Sequence, residues 1–126
     1  MIWTMSPTTQ EIPRDTWRPY FDELSKTLGT VEATVEVVGP DIGAQIEAER
    51  LVLTGLTYDD RDDVFVIGLD APGDPPEDLE RMVDHPQKIL IATGDTPPIE
   101  MTIDIQDAHQ HQTIIRVVRP PALPGE

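Results

Sequence analysis

The strongest constraint in this chain is an alternation of apolar and polar residues, cut at short intervals by turn residues, from Val31 to Leu69. Val31, Ala33, Val35 and Val37 alternate with Glu32, Thr34 and Glu36. Gly39-Pro40-Asp41-Ile42-Gly43 breaks the run, and Ala44, Ile46 and Ala48 then alternate with Gln45, Glu47 and Glu49. Successive strand side chains point to opposite faces, so the pattern predicts a hairpin with one buried and one acidic, wetted face. Two apolar runs, Leu51–Tyr58 and Val64–Leu69, flank the polar loop Asp59-Asp60-Arg61-Asp62-Asp63 and predict a second hairpin. Both runs are apolar on each face, which marks them as central strands covered on both sides.

The rest of the chain extends this sheet. Ile99, Met101, Ile103 and Ile105 alternate with Glu100, Thr102, Asp104 and Gln106 in the cleanest period-2 segment. Ile89–Ala92 precedes it across a turn at Gly94–Pro98, and Thr113–Arg119 follows a turn at Asp107–His111. Trp17, Tyr20, Phe21, Leu24 and Leu28 recur at helical spacing, with Asp15 as the expected N-cap and Gly29 as the stop. Leu79, Met82 and Val83 fall at i, i+3 and i+4, so Glu77–Asp84 reads as a short second helix that Pro86 ends. No spacer is long enough for a parallel crossover. The expected fold is α+β: a strongly curved antiparallel sheet or half-open barrel of about seven strands, packed by the N-terminal helix, with the short helix before the last three strands. The expected organisation is a loose arm over 1–11, a single domain over 12–120 and an extended tail over 121–126.

Composition narrows the function classes. A chain of 126 residues buries roughly two-thirds of its unfolded surface, enough for one core. Without cysteine it has no disulfide, thiolate nucleophile or Cys-based zinc site. Met1-Ile-Trp-Thr-Met lacks the basic start and apolar stretch of a secretory signal, with Met5 as an alternative start, so the expectation is an unprocessed cytoplasmic protein. The net charge is −15, with 9 Lys and Arg against 24 Asp and Glu. Phosphate recognition needs clustered cations, so the balance speaks against nucleic acid and anionic membranes. It suits a basic protein partner, or solubility alone. Mimicry of a DNA surface is a third reading of the same charge, and exposed strand edges would support a homodimer.

Four constellations could carry chemistry. His109 and His111, at i,i+2, would share one face of a regular strand and could chelate a transition metal with Asp107 or Asp104; in a turn they are polar tip residues. Asp59, Asp60, Asp62 and Asp63 concentrate hard oxygen ligands, but the strand flanks, the missing Gly and the central Arg61 depart from a calcium loop. Glu32, Glu36, Glu47 and Glu49 are expected on one hairpin face, where Glu36 and Glu47 would be acid–base candidates if that face were concave. His85 before Pro86 is a lone histidine at a predicted helix end; neither Ser6 nor Ser25 sits in a nucleophile elbow. Gly39–Gly43 lacks the lysine of a phosphate loop, and Trp17, Tyr20 and Phe21 read as core rather than as a stacking platform. No cofactor is implied.

Ile12-Pro13-Arg14-Asp15-Thr16-Trp17 and Val35–Ala48, with its Gly-Pro-Asp-Ile-Gly turn, resemble a family of small bacterial proteins classed as a domain of unknown function. Leu51–Leu56, Val83-Asp84-His85-Pro86 and Pro120–Pro124 join the resemblance, which covers most of residues 12–124. It implies no activity, cofactor or partner. The expected function is a non-catalytic binding or protein-interaction module. The alternative is a small-molecule-binding protein or enzyme with a pocket inside the curved sheet.

Overall fold

The computed structural model describes residues 9–93 and 99–119. Residues 1–8 of the expected arm, the turn at 94–98, Pro120 and the expected tail over 121–126 lie outside the described residues. Among the described residues eight strands form one sheet: β1 (Thr9–Glu11), β2 (Glu32–Gly39), β3 (Gly43–Asp59), β4 (Val64–Ala71), β5 (Glu77–Asp84), β6 (Pro86–Thr93), β7 (Ile99–Asp107) and β8 (Gln112–Val118). Their order is β1-β6-β7-β8-β2-β3-β4-β5, every neighbouring pair is antiparallel, and the order does not close. β6 stands second and β5 eighth, about 29 Å apart in a flat sheet at ~4.8 Å per strand. Yet the single residue His85 joins them. Two Cα steps reach at most about 7 Å, so the sheet curls until β5 meets β6 at that corner.

The one α-helix among the described residues, α1 (Trp17–Thr27), follows a 3-10 turn at Arg14–Thr16. Asp15 is therefore not the N-cap; Thr16 holds that place without a side-chain cap, its hydroxyl donating instead to the Pro13 carbonyl at 2.8 Å. Pro13 and Pro19 favour this tight entry because neither needs a backbone donor there. Gly29 adopts φ +67° just past the end of the helix, the left-handed stop that glycine makes cheaply. Trp17 and Phe21 are fully buried, and their rings meet Tyr58 and Phe65 edge-on at 5.1 and 4.8 Å. Ser25 fastens the helix to β3, donating to the Leu56 carbonyl at 2.9 Å and accepting from the Leu56 N–H at 3.0 Å. The alternating positions of seven strands complete the core: Val35, Leu56, Phe65, Ile67, Leu69, Val83, Ile89, Ile103, Ile105 and Ile115 are all buried. No described helix is long and apolar enough to cross a membrane.

Three further expectations are corrected. Glu77–Asp84 is strand β5, in register with β4 from Val64↔Asp84 to Ala71↔Glu77. Its helical spacing arises because Val83 turns inward while the exposed Met82 turns out; pairing with the free edge of β4 overrides a weak local preference. The runs 44–49 and 51–58 form one 17-residue strand, since Arg50 takes φ +52° and bends β3 without ending it. The register against β2 shifts twice there, and Thr34 accepts the freed Arg50 N–H at 3.1 Å. Finally, Thr9–Glu11, expected within a loose arm, pairs with β6 as an edge strand.

Candidate functional site: a tied rim and an unmatched face

One rim of the curled sheet gathers all three histidines. At the β5–β6 corner, Asp63 and His85 both adopt left-handed backbone, with φ of 53° and 54°. Non-glycine residues hold such conformations only where their surroundings fix them. Here the fixing is dense. The His85 N–H donates to the Asp63 carbonyl at 2.9 Å, and the Ala108 N–H donates to the His85 carbonyl at 3.0 Å. Between the side chains, the Tyr58 hydroxyl donates to Asp63 Oδ1 at 2.6 Å, while Asp63 Oδ2 meets His85 Nδ1 at 3.2 Å. Arg14 reaches in from the 3-10 turn, bonding the Pro86 carbonyl at 2.6 Å, the Tyr58 hydroxyl at 3.3 Å and Asp63 Oδ1 at 3.4 Å. Its guanidinium lies over the Trp17 ring, 4.6 Å from the centroid. The Tyr58 hydroxyl, His85 and Arg14 hold the Asp63 carboxyl below its ordinary range. Burial and the same carboxylate push the Tyr58 hydroxyl up.

The β7–β8 turn continues the rim. His111 Nε2 meets Asp41 Oδ1 at 2.8 Å, a bond that lowers the Asp41 carboxyl. His109 instead faces His85, with ring centroids 6.3 Å apart. The two histidines of the His-Gln-His segment thus serve different neighbours and do not converge on one point. Asp107 Oδ1 is occupied by the His109 and His111 N–H groups at 2.8 and 3.0 Å, which shapes the turn. Asp104 bonds the Gln112 amide at 2.7 Å. Among the described residues no group of three or more His, Asp or Glu is placed to hold a metal ion.

The other predicted residues also separate into distinct tasks. In the β3–β4 loop, Asp59 Oδ1 accepts the Arg61 and Asp62 N–H groups, Asp60 pairs with Arg18 at 3.4 Å, and Asp63 joins the rim. Their carboxylates do not enclose a cation. Glu32 pairs with Arg50 at 2.7 Å and Glu36 with Arg116 at 3.0 Å. Glu47 and Glu49 fall in the bulged stretch of β3, where the Glu47 carbonyl accepts from Arg81 at 3.4 Å. Glu32 and Glu36 are thus each tied to an arginine, whereas Glu47 and Glu49 are exposed. His85 ends no helix; it is the corner itself.

A contrasting arrangement lies on the outer face of β4 and β5. Asp70 and Asp78 stand directly opposite each other. A hydrogen bond between the Asp70 and Asp78 carboxyls, then burial and the Asp78 charge, push the Asp70 carboxyl above its ordinary range; Asp70 Oδ1 is sealed from solvent and meets no donor from the rest of the described chain. Among the described residues no ion pair involves Asp70, Asp78 or Glu80.

Spacing along the chain hid the rim: Arg14, Tyr58, Asp63 and His85 are brought together only by tertiary closure. The segments Ile12–Trp17, Val83–Pro86 and Gly39–Gly43 were its one sequence signal. The first two meet at the corner, and the third meets His111, whose ring a Cβ on Gly39 would strike.

Fold and rim define a small α+β protein, a curled antiparallel sheet packed by one helix and tied at one end by polar contacts. The chain belongs to a family of unknown function (DUF5335), whose model matches residues 8–126. An uncharacterised protein of Aquifex aeolicus (strain VF5) is 38% identical over 116 residues, covering 92% of this chain and 96% of that relative. No solved structure matches the chain.

Proposed function

We propose that this protein is a non-catalytic binding module that recognises a basic protein partner through its outer surface. The observation that carries the reading is the filled interior. Phe65, Ile67, Leu69, Ile89, Ile103 and Ile115 are all at or below 1% exposure, so the concave side of the sheet is occupied by the protein's own side chains. A partner is then met on the outside, where the charge balance favours a basic one. Five cations, Arg14, Arg18, Arg50, Lys88 and Arg116, are already tied to carboxylates of the chain. The Asp63–His85 pair resembles the orienting half of an acid–base site, but both residues serve the corner. Ser25, the one serine among the described residues, spends its hydroxyl on Leu56.

The test pairs two measurements on the purified chain. A thermal-shift screen against divalent metals, nucleotides and common metabolites should leave the melting temperature unchanged. Capture at low salt should retain a defined basic polypeptide that elutes as salt rises. A small ligand present at a hundred times its Kd would add about 2.7 kcal/mol of stability. A ligand-specific rise of that size would overturn the reading in favour of a small-molecule site.

A further inference from the structure

The outer face of β3, β4 and β5 has a trough where side chains are missing. Gly68 lies at its floor, with Gly55 as its cross-strand partner on β3. A Cβ on Gly68 would come within 2.6 Å of the Thr54 hydroxyl, whereas nothing lies within 4 Å of the place a Gly55 Cβ would take. A groove of about 440 Å³ opens there, lined by Thr54, Gly68, Leu69, Asp78, Leu79 and Glu80. A neighbouring groove of about 400 Å³ runs toward the proline-rich β4–β5 loop, lined among others by Val52, Asp70, Pro72 and Pro76. The facing carboxylates Asp70 and Asp78 stand one on each groove, at the boundary between them. Apolar surface flanks both: Val52 is 41% exposed and Met82 60%.

Charge is unbalanced at this boundary. Arg50 lines the second groove but is paired there with Glu32, and Arg81 donates to the Glu47 carbonyl. When ionised, two carboxylates held opposite each other on adjacent strands repel, and when they share a proton they answer only each other; one oxygen of Asp70 meets no donor from the rest of the described chain. Nothing in the sheet's own packing requires that arrangement, since both side chains point away from the core. A long cationic side chain would satisfy each element at once. Its methylenes would lie along the glycine floor and the exposed valine and methionine, and its head would reach the carboxylates.

Building on the proposed recognition of a basic partner, we infer that this double groove seats an arginine- or lysine-bearing segment of that partner, with a cationic head between Asp70, Asp78 and Glu80. The chemistry favours arginine, whose planar fork can bond two carboxylates together.

The test uses fluorescence anisotropy of a short fluorescein-labelled oligo-arginine peptide on the full chain at low and moderate salt. The double variant Asp78→Asn/Glu80→Gln should weaken binding about tenfold, whereas Asp22→Asn/Glu23→Gln on the exposed face of α1, which removes the same charge, should change it less than about twofold. Thr54→Trp, at an exposed position, fills the groove without altering charge and should weaken binding like the groove double variant. Equal losses in both double variants, or full binding by Thr54→Trp, would show diffuse attraction and overturn the groove while leaving basic-partner recognition intact. Failure of the wild-type chain to bind the peptide would overturn both. Spermine that binds as tightly as the peptide and displaces it would assign the groove to a free polyamine and overturn the peptide assignment.

Discussion

Asp63 and Asp70 are both partly buried aspartates at β4, one just before the strand and one near its far end, and their surroundings push them in opposite directions. Asp63 is met by a tyrosine hydroxyl, a histidine and an arginine, and its carboxyl is held low. Asp70 is met by another aspartate, and its carboxyl is pushed up. An excess of acid is tolerable anywhere it is solvated, but a partly buried carboxylate is stabilising only where donors converge on it. The rim uses its aspartates to close the fold. The outer face sets two aspartates against each other, and among the described residues neither joins an ion pair. This difference separates the part of the molecule that builds the sheet from the part we assign to a partner.

The comparison breaks most visibly at Asp63. Asp63→Ala removes the acceptor of the Tyr58 hydroxyl and the carboxylate beside His85, leaves Arg14 only its bonds to Pro86 and Tyr58, and deprives the corner of its side-chain support. Its unfolding free energy, read from denaturant melts at pH 7, should fall by about 2–4 kcal/mol. Tyr58→Phe removes only the 2.6 Å bond and should cost about 1–1.5 kcal/mol in the same assay. The pH dependence sharpens the contrast. Because the folded Asp63 carboxyl lies below its unfolded value of about 3.9, its contribution is complete above that value and is lost as pH falls through the folded one. The wild type should therefore lose more stability between pH 5 and 2 than Tyr58→Phe does.

The reverse sign is expected at Asp70. Its folded carboxyl lies above the unfolded value, so the ionised form costs stability at neutral pH. That cost is relieved as pH falls through the raised folded value toward the unfolded one. Asp70→Asn should raise the melting temperature at pH 7, and the gain should shrink in mild acid. The smallest effect belongs to the exposed tie at the β2–β3 turn: Asp41→Asn should lower the melting temperature slightly, and His111→Gln should do the same.

Much of the sheet was legible in the sequence because alternation and turn residues are local signals. The period-2 runs of β2 and β7, the Gly-Pro-Asp-Ile-Gly turn and the helical stripe from Trp17 to Leu28 all encode their own geometry. Strand β5 was not legible. Leu79, Met82 and Val83 satisfy a helical template, and what makes the segment a strand is the unpaired edge of β4, which lies outside the segment. The alternating run to Glu49 and the apolar run from Leu51 read as separate strands, whereas the positive φ of Arg50 between them bends one continuous strand. The rim was legible only as fragments. Arg14 and His85 each stood inside a recognisable stretch, but nothing in the chain announces that residues 71 positions apart belong to one cluster. The spacing of His109 and His111 allows a shared strand face or a polar turn tip; the turn shaped by Asp107 sends them to different partners.

The most direct test of the central claim is an NMR titration of the aspartate side-chain carboxyl carbons in the intact protein. The account predicts that Asp63 titrates below the ordinary aspartate value and Asp70 above it, and that a bound oligo-arginine peptide draws the Asp70 midpoint down while leaving Asp63 in place. Coincident titration of the two at the unperturbed value would contradict the contrast between tied rim and unmatched face. A peptide-induced shift at Asp63 with none at Asp70 would place recognition at the wrong end of β4.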